Sequence, residues 1–150
     1  MMEYKRGDLL KEEVEVLVNP VNCAGVMGKG LALQFKKTFP DNFRAYAAAC
    51  AAGEVVPGKI FVHPIEPAGV QKYIFNFPTK RHWRGKSRME DITAGLADLV
   101  RLVGDLDIAS IAVPPLGAGL GGLDWHQVEQ ALVEVLSPLA EVRIVIFEPL

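Results

Sequence analysis

The stretch Asn19-Pro20-Val21-Asn22-Cys23-Ala24-Gly25-Val26-Met27-Gly28-Lys29-Gly30-Leu31-Ala32 decides how this chain is read. An apolar run, Val14 to Val18, leads into it, and an alanine- and leucine-rich segment leaves it. Continuous apolar runs of this kind suit a strand buried on both faces. Gly25, Gly28 and Gly30 let the backbone approach a ligand closely, and a helix start just after them offers free N–H groups to an anion. The stretch therefore reads as a strand, a phosphate-cradling loop and a helix, with two asparagines able to bond sugar hydroxyls. Two phosphate fingerprints do not fit. A P-loop needs a Gly where Cys23 stands and a Ser or Thr where Gly30 stands. The dinucleotide G-x-G-x-x-G spacing is also absent here. Read alone, the loop competes with a tight strand-to-helix connection that binds nothing.

Working outward, a second loop strengthens the reading. Leu116-Gly117-Ala118-Gly119-Leu120-Gly121-Gly122 follows the apolar run Ile108 to Val113 and precedes a helix over 124–136. Asp124 and Gln127 are spaced to cap that helix. Further strands are expected at Met2 to Lys5, Lys59 to His63, Lys72 to Phe77 and Val142 to Phe147. Helices are expected over 30–37, over 41–52 with Asp41 or Asn42 at the start and Gly53 as the stop, and from a Ser87-x-x-Glu90 capping box to about Val103. Alternating strands and helices predict an α/β sandwich with a mixed, largely parallel sheet, the 59–63 and 72–77 pair being antiparallel. Ligands on such sheets sit outside the carboxyl ends of the strands, where both glycine loops should open. Two such loops can clasp a diphosphate from both sides.

Composition narrows the class. The 150 residues suit a single domain, 1–150, and half are hydrophobic, enough for a core. A net charge of −2 excludes a generally basic nucleic-acid binder, so contact with DNA or RNA must come from a local patch. Cys23 and Cys50 make neither a disulfide scaffold nor a zinc site, and His63, His82 and His126 lack metal-ligand spacing. No metal is expected. With no signal peptide and no membrane-spanning apolar run, a cytoplasmic protein without membrane contact, monomeric by default, is the expectation.

In their order, Gly7-Asp8, the apolar strand, Asn19-x-x-Asn22 and the two glycine loops resemble the macrodomain family, an ADP-ribose-binding fold, over essentially the whole chain. Gly25 to Ala32 with Phe35-Lys36 is similar to the branch that holds human terminal ADP-ribose glycohydrolase and the DarG-type bacterial antitoxins. Asn76 to Arg84 with Ser87, and Gly121 to Trp125, resemble the DarG type in particular. The resemblance implies a three-layer α/β/α sandwich. It implies a DNA ADP-ribosyl glycohydrolase that needs no cofactor and removes ADP-ribose from thymidine in single-stranded DNA. It implies a DarT-type toxin as partner and a further C-terminal region, so the chain reads as an N-terminal domain of a longer protein. One position departs from the pattern: Gly121 stands where the human enzyme has an Asp, which puts a carboxylate mechanism in doubt.

The resemblance also implies roles. Asp8 contacts adenine, against the alternative of a turn residue bonding its own backbone, and Leu9 beside it is a further ADP-ribose contact. Asn22 contacts the distal ribose. Gly25, Met27, Gly28, Lys29 and Gly30 form the first phosphate loop, Lys29 being either a phosphate ligand or a solvated side chain. Leu116, Gly117, Ala118, Gly119, Leu120 and Gly121 form the second. Phe147 packs against adenine or into the core. Lys80 is the catalytic candidate. It can attack the anomeric carbon and form a Schiff base, or stay charged and act on the leaving base as electrophile or general acid. Cys23 has no partnered His in view and is not expected to be a nucleophile.

The residues around Lys80 carry their own signal. From Pro67 to Met89 there is no Asp or Glu, while Lys72, Lys80, Arg81, Arg84, Lys86 and Arg88 share the span with His82 and Trp83. Basic side chains neutralise phosphates and an aromatic plane stacks an unpaired base, so Arg81, His82, Trp83 and Arg84 are candidate DNA contacts. A solvated loop with Trp83 turned inward is the alternative. Two other functions compete with the glycohydrolase. One is a non-catalytic ADP-ribose reader. The other is a hydrolase of a protein-linked ester, O-acetyl-ADP-ribose or ADP-ribose 1″-phosphate.

Overall fold

A computed structural model describes residues 2–150. The elements run β1 (Met2–Lys5), a 3-10 turn (Leu9–Lys11), β2 (Val16–Asn22), α1 (Gly30–Thr38), α2 (Pro40–Ala51), β3 (Phe61–Pro64), β4 (Tyr73–Lys80), α3 (Met89–Asp105), β5 (Ser110–Val113), α4 (Trp125–Leu136) and β6 (Arg143–Phe147). The sheet order is β1-β6-β5-β2-β4-β3. All neighbours are parallel except β3, which runs antiparallel to β4. The expected mixed, largely parallel sheet is what forms.

Alternation along the strands builds the three layers. Val16, Val18, Phe75, Phe77, Ile111, Val113, Ile144 and Ile146 pack under α3 and α4. The intervening Leu17, Ile74, Ala112 and Val145 pack with Phe35 of α1 on the other face. Val21 and Met27 continue that face against Tyr46 and Ala49 of α2.

Several boundaries differ from the sequence reading. β2 does not stop at Val18 but continues through Asn22, because the β4 ladder continues beside it. Buried Asn19 donates to Asn76 Oδ1 at 3.1 Å, while its own Oδ1 has no partner among the described residues. β4 likewise runs to Lys80. α2 begins at Pro40, a proline in its favoured first position. Asn42 is no cap: it is fully buried and exchanges amide hydrogen bonds with Asn76 at 2.8 and 3.1 Å. Gly53, at φ +73, ends α2 as expected. Its N–H bonds Cys50 O, and Glu54 N–H bonds Ala49 O, which closes the paired C-terminal motif. The Ser87–Glu90 capping box does not form. Arg88 is the N-cap of α3, and the buried Ser87 hydroxyl has no partner among the described residues. Asp124 holds the N-cap position of α4 without a side-chain cap bond.

Gly95 sets how closely α3 lies on β4. A Cβ at that position would overlap the Phe77 ring. Gly95→Ala should therefore lower the unfolding free energy by about 1–3 kcal/mol through overpacking, although alanine is the better helix former. Denaturant unfolding checks this, and adding Phe77→Leu should recover part of the loss.

Candidate active site

β2 and β5 are neighbours, yet the chain leaves them on opposite faces. β2 leads to α1 and β5 to α4. Diverging connections leave a crevice at the carboxyl ends of the two strands. Here it is deepened: β2 pairs with β5 only at Val16 and Leu17, while its pairing with β4 continues to Asn22. β5 departs through Pro114-Pro115, where no N–H is available to prolong a ladder.

Asn22 organises the first loop. Its amide nitrogen donates to Val26 O at 2.7 Å, and its Oδ1 accepts from Ala24 N–H at 2.9 Å. The buried Tyr46 hydroxyl lies 2.7 Å from Asn22 O and 2.8 Å from its Oδ1, and donates there. Burial pushes the Tyr46 phenol well above its ordinary value, so it remains a donor. One amide proton of Asn22 is left for a ligand. Met27 is fully buried beneath the loop, and its sulfur lies 3.9 Å from Asn19 Nδ2, which leaves only its backbone for a ligand. Gly28, Lys29 and Gly30 are exposed.

The second loop curls on itself. Gly117 O accepts from Leu123 N–H at 2.9 Å, and Gly121 O accepts from Ser87 N–H at 3.0 Å. Gly121 tolerates no side chain, because a Cβ would overlap Ser87 Oγ and the Gly117 backbone. A carboxylate cannot occupy this position, so the departure from Asp has a packing cause. Leu116 and Gly117 are buried, Ala118 is half-buried, and Gly119 and Leu120 are exposed. Leu120 Cδ1 lies 3.2 Å from where a Gly30 Cβ would sit, so the two loops meet over the crevice.

Lys80 ends β4 half-buried and pairs in register with Asn22 across a bulge. The segment after it is pinned at two points. Arg81 donates twice to the buried Asp91 carboxylate of α3, each bond 3.2 Å, and Ser87 holds Gly121. Arg81, a candidate DNA contact, is thus engaged by an acid. Lys72 pairs with Glu15 at 2.8 Å, and Arg88 lies 3.8 Å from Glu90. Lys80, Arg84 and Lys86 remain without an acidic partner among the described residues. Trp83 is not turned inward but is 42% exposed. It stacks with His82 at 5.1 Å, and Arg84 sits 4.3 Å above its ring.

At the far end, Asp8 Oδ1 accepts from Leu10 N–H at 3.0 Å, so the turn role is real and one carboxylate oxygen remains. Asp8 and Phe147 line a common cavity of ≈ 440 Å³ whose other walls are charged residues of both signs, among them Arg6, Lys11, Glu12 and Glu13. Leu9 and Phe147 are core side chains of one cluster. Cys23 sits beside the first loop with its thiol pushed up to about 11, first by burial and then by Cys50, which suits an inert thiol. Among the described residues no group of His, Cys, Asp or Glu is placed to hold a metal. Sequence reasoning missed Tyr46 and Asp91, and gave Ser87 a helix-capping role in place of its bond to Gly121. Each acts on a residue far along the chain, or in a role its local spacing does not advertise.

The Macro domain family profile matches residues 18–132. A "DNA ADP-ribosyl glycohydrolase" of Mycobacterium tuberculosis is 54% identical over 99% of this chain and 42% of its own length. The chain thus spans about two fifths of that curated relative. The solved structure "Macrodomain of Mycobacterium tuberculosis DarG" matches at TM-score 0.98 and 54% identity, over 100% of this chain and 99% of that one. "Thermosipho africanus DarTG in complex with ADP-ribose" matches at TM-score 0.91 and 34% identity, over 98% of this chain and 41% of that one.

The loop architecture makes two checks available. Tyr46→Phe removes the hydroxyl that donates to Asn22 and should cost about 0.5–1.5 kcal/mol in denaturant unfolding. Alkylation of Cys23, followed by peptide mass mapping, should be slow at neutral pH and keep rising toward pH 11, where an ordinary thiol levels off near 9.

Proposed function

We propose that this chain, which belongs to the macrodomain family and is a macrodomain of the DarG type, removes ADP-ribose from thymidine in single-stranded DNA. The observation that carries the reading is the convergence at one crevice of two glycine loops and Lys80, in register with Asn22. The loops offer backbone N–H groups to a diphosphate from both sides. The remaining proton of Asn22 is suited to a ribose hydroxyl, and the remaining oxygen of Asp8 to an exocyclic amino group. The ADP-ribose in the DarTG complex supports this choice of ligand.

Lys80 is the residue proposed to act at the anomeric carbon. As a nucleophile, its nitrogen forms a bond to that carbon while the bond to the thymine nitrogen breaks. The base departs with the proton that the amine gives up, the resulting glycosylamine opens its ribose ring to an imine as the ring oxygen takes a proton, and water then hydrolyses the imine to release ADP-ribose. As a cation, it instead stabilises negative charge developing on the departing base. Gly121 supplies no carboxylate to share the work. Arg84 and Lys86, with no acidic partner among the described residues, are suited to DNA phosphates, and Arg81 serves to hold their loop. In its organism the chain would act as the antitoxin to a DarT-type DNA ADP-ribosyltransferase. This extends the resemblance of Asn76 to Arg84 and the DarTG match.

A single-stranded oligonucleotide carrying ADP-ribosyl-thymidine tests the reading. The protein should release unmodified DNA, and Lys80→Ala should lose at least about 100-fold in rate while keeping ADP-ribose affinity within a few-fold. Binding without release by the unsubstituted protein would leave an ADP-ribose reader instead. Borohydride trapping separates the two roles of Lys80: a covalent adduct on its peptide marks the Schiff base, and activity retained by Lys80→Arg marks the cation.

A further inference from the structure

We propose that His82, Trp83 and Arg84 form a stacking platform for the nucleobase that flanks the modified thymidine. The enzyme then recognises an oligonucleotide rather than the modified nucleoside alone. This rests on the glycohydrolase reading above and adds a specificity determinant to it.

The geometry is that of a stack open to solvent. The His82 and Trp83 rings lie 5.1 Å apart at 28°, and the Arg84 guanidinium lies 4.3 Å from the indole centroid. Trp83 keeps 42% of its surface exposed. Alternating aromatic and guanidinium planes are the surfaces on which unpaired bases stack, since every base has a π-face and the cation adds attraction. In a duplex both faces of a base are already stacked, so the platform favours a single strand.

The stack is held in place before any ligand arrives. Gly85 N–H bonds His82 O at 3.0 Å, and Arg84 N–H bonds His82 Nδ1 at 3.1 Å. The Arg81–Asp91 pair fixes one end of the segment, and the Ser87–Gly121 bond fixes the other. Little ordering entropy is left to lose on binding. The reach is short. Trp83 lies three positions beyond Lys80, which is at most about 11 Å between Cα atoms, so the base met is a close neighbour of the reacting nucleotide. Arg84 and Lys86, without acidic partners among the described residues, would supply the charge to meet flanking phosphates.

The test uses two trinucleotides with a central ADP-ribosyl-thymidine, one with ordinary bases on both flanks and one with abasic flanks. Stacking of this kind predicts about a 10-fold higher kcat/KM for the base-flanked substrate. Trp83→Ala should erase the difference and Trp83→Phe should keep most of it, with an ADP-ribose titration reporting that the pocket is intact. Equal rates on both substrates, or a preference that survives Trp83→Ala, overturn the platform alone. No release from either substrate overturns the glycohydrolase reading and the platform with it. A surviving preference combined with weakened binding of a DarT-type toxin would assign the stack to a protein contact instead.

Discussion

The structure depends on one mismatch: β2 outruns β5. The two strands pair only at Val16 and Leu17, yet β2 continues to Asn22 along β4. One side of its outer half therefore lacks a ladder. Pro20 sits in this one-sided stretch, where a residue without an N–H is tolerated. The same missing partner opens the crevice into which both glycine loops turn. A β5 extended by two or three residues would fill that space with backbone. The Pro114-Pro115 pair prevents it.

Burying such an extension has a polar cost, and the chain meets it with amides. Asn76 lies at the centre: it accepts from Asn19 and Asn42 and donates to Asn42 and to Phe61 O. The cluster ties β2, β3, β4 and α2 together between buried apolar neighbours such as Phe75, Phe77 and Val21. Asn22, three residues beyond Asn19, faces a different task. Its bonds fold the loop, and Tyr46 of α2 holds it from behind. Two asparagines that look alike in the sequence thus divide into a core amide and a loop-folding amide, and α2 reaches the first through Asn42 and Asn76 and the second through Tyr46. Substitution in α2 therefore acts on the crevice without touching it.

Much of this was legible in the sequence, and the limits are physical. Apolar runs and glycine positions located the strands, loops and helices, because those signals are local. Strand ends were not, since Asn19 to Asn22 and Pro78 to Lys80 carry turn-like residues in strands whose register is set by a neighbour. The Ser87 capping box failed because Gly121 O, from a loop more than thirty residues away, claims the Ser87 N–H. The basic, acid-free segment was correctly seen as a span, yet its members could not be told apart. Glu15 and Asp91, from β2's approach and from α3, take Lys72 and Arg81. Such partners become visible only once the chain has folded.

Under the proposed function, that selection has a consequence, because an acidic protein would then be directed at a polyanion. With a net charge of −2, long-range attraction to DNA is weak or unfavourable. The basic surface must be concentrated near the reacting group, and it must be held there. Arg81 meets the second requirement at the expense of the first. Paired with Asp91, it contributes little net charge, but it anchors the segment that carries Arg84, Lys86 and the Trp83 stack. An anchor made from apolar residues would have preserved the charge count. It would also have placed no buried carboxylate to fix a guanidinium fork in two directions at once. On that reading, recognition would depend less on how many cations the segment carries than on which of them are committed to holding the others still.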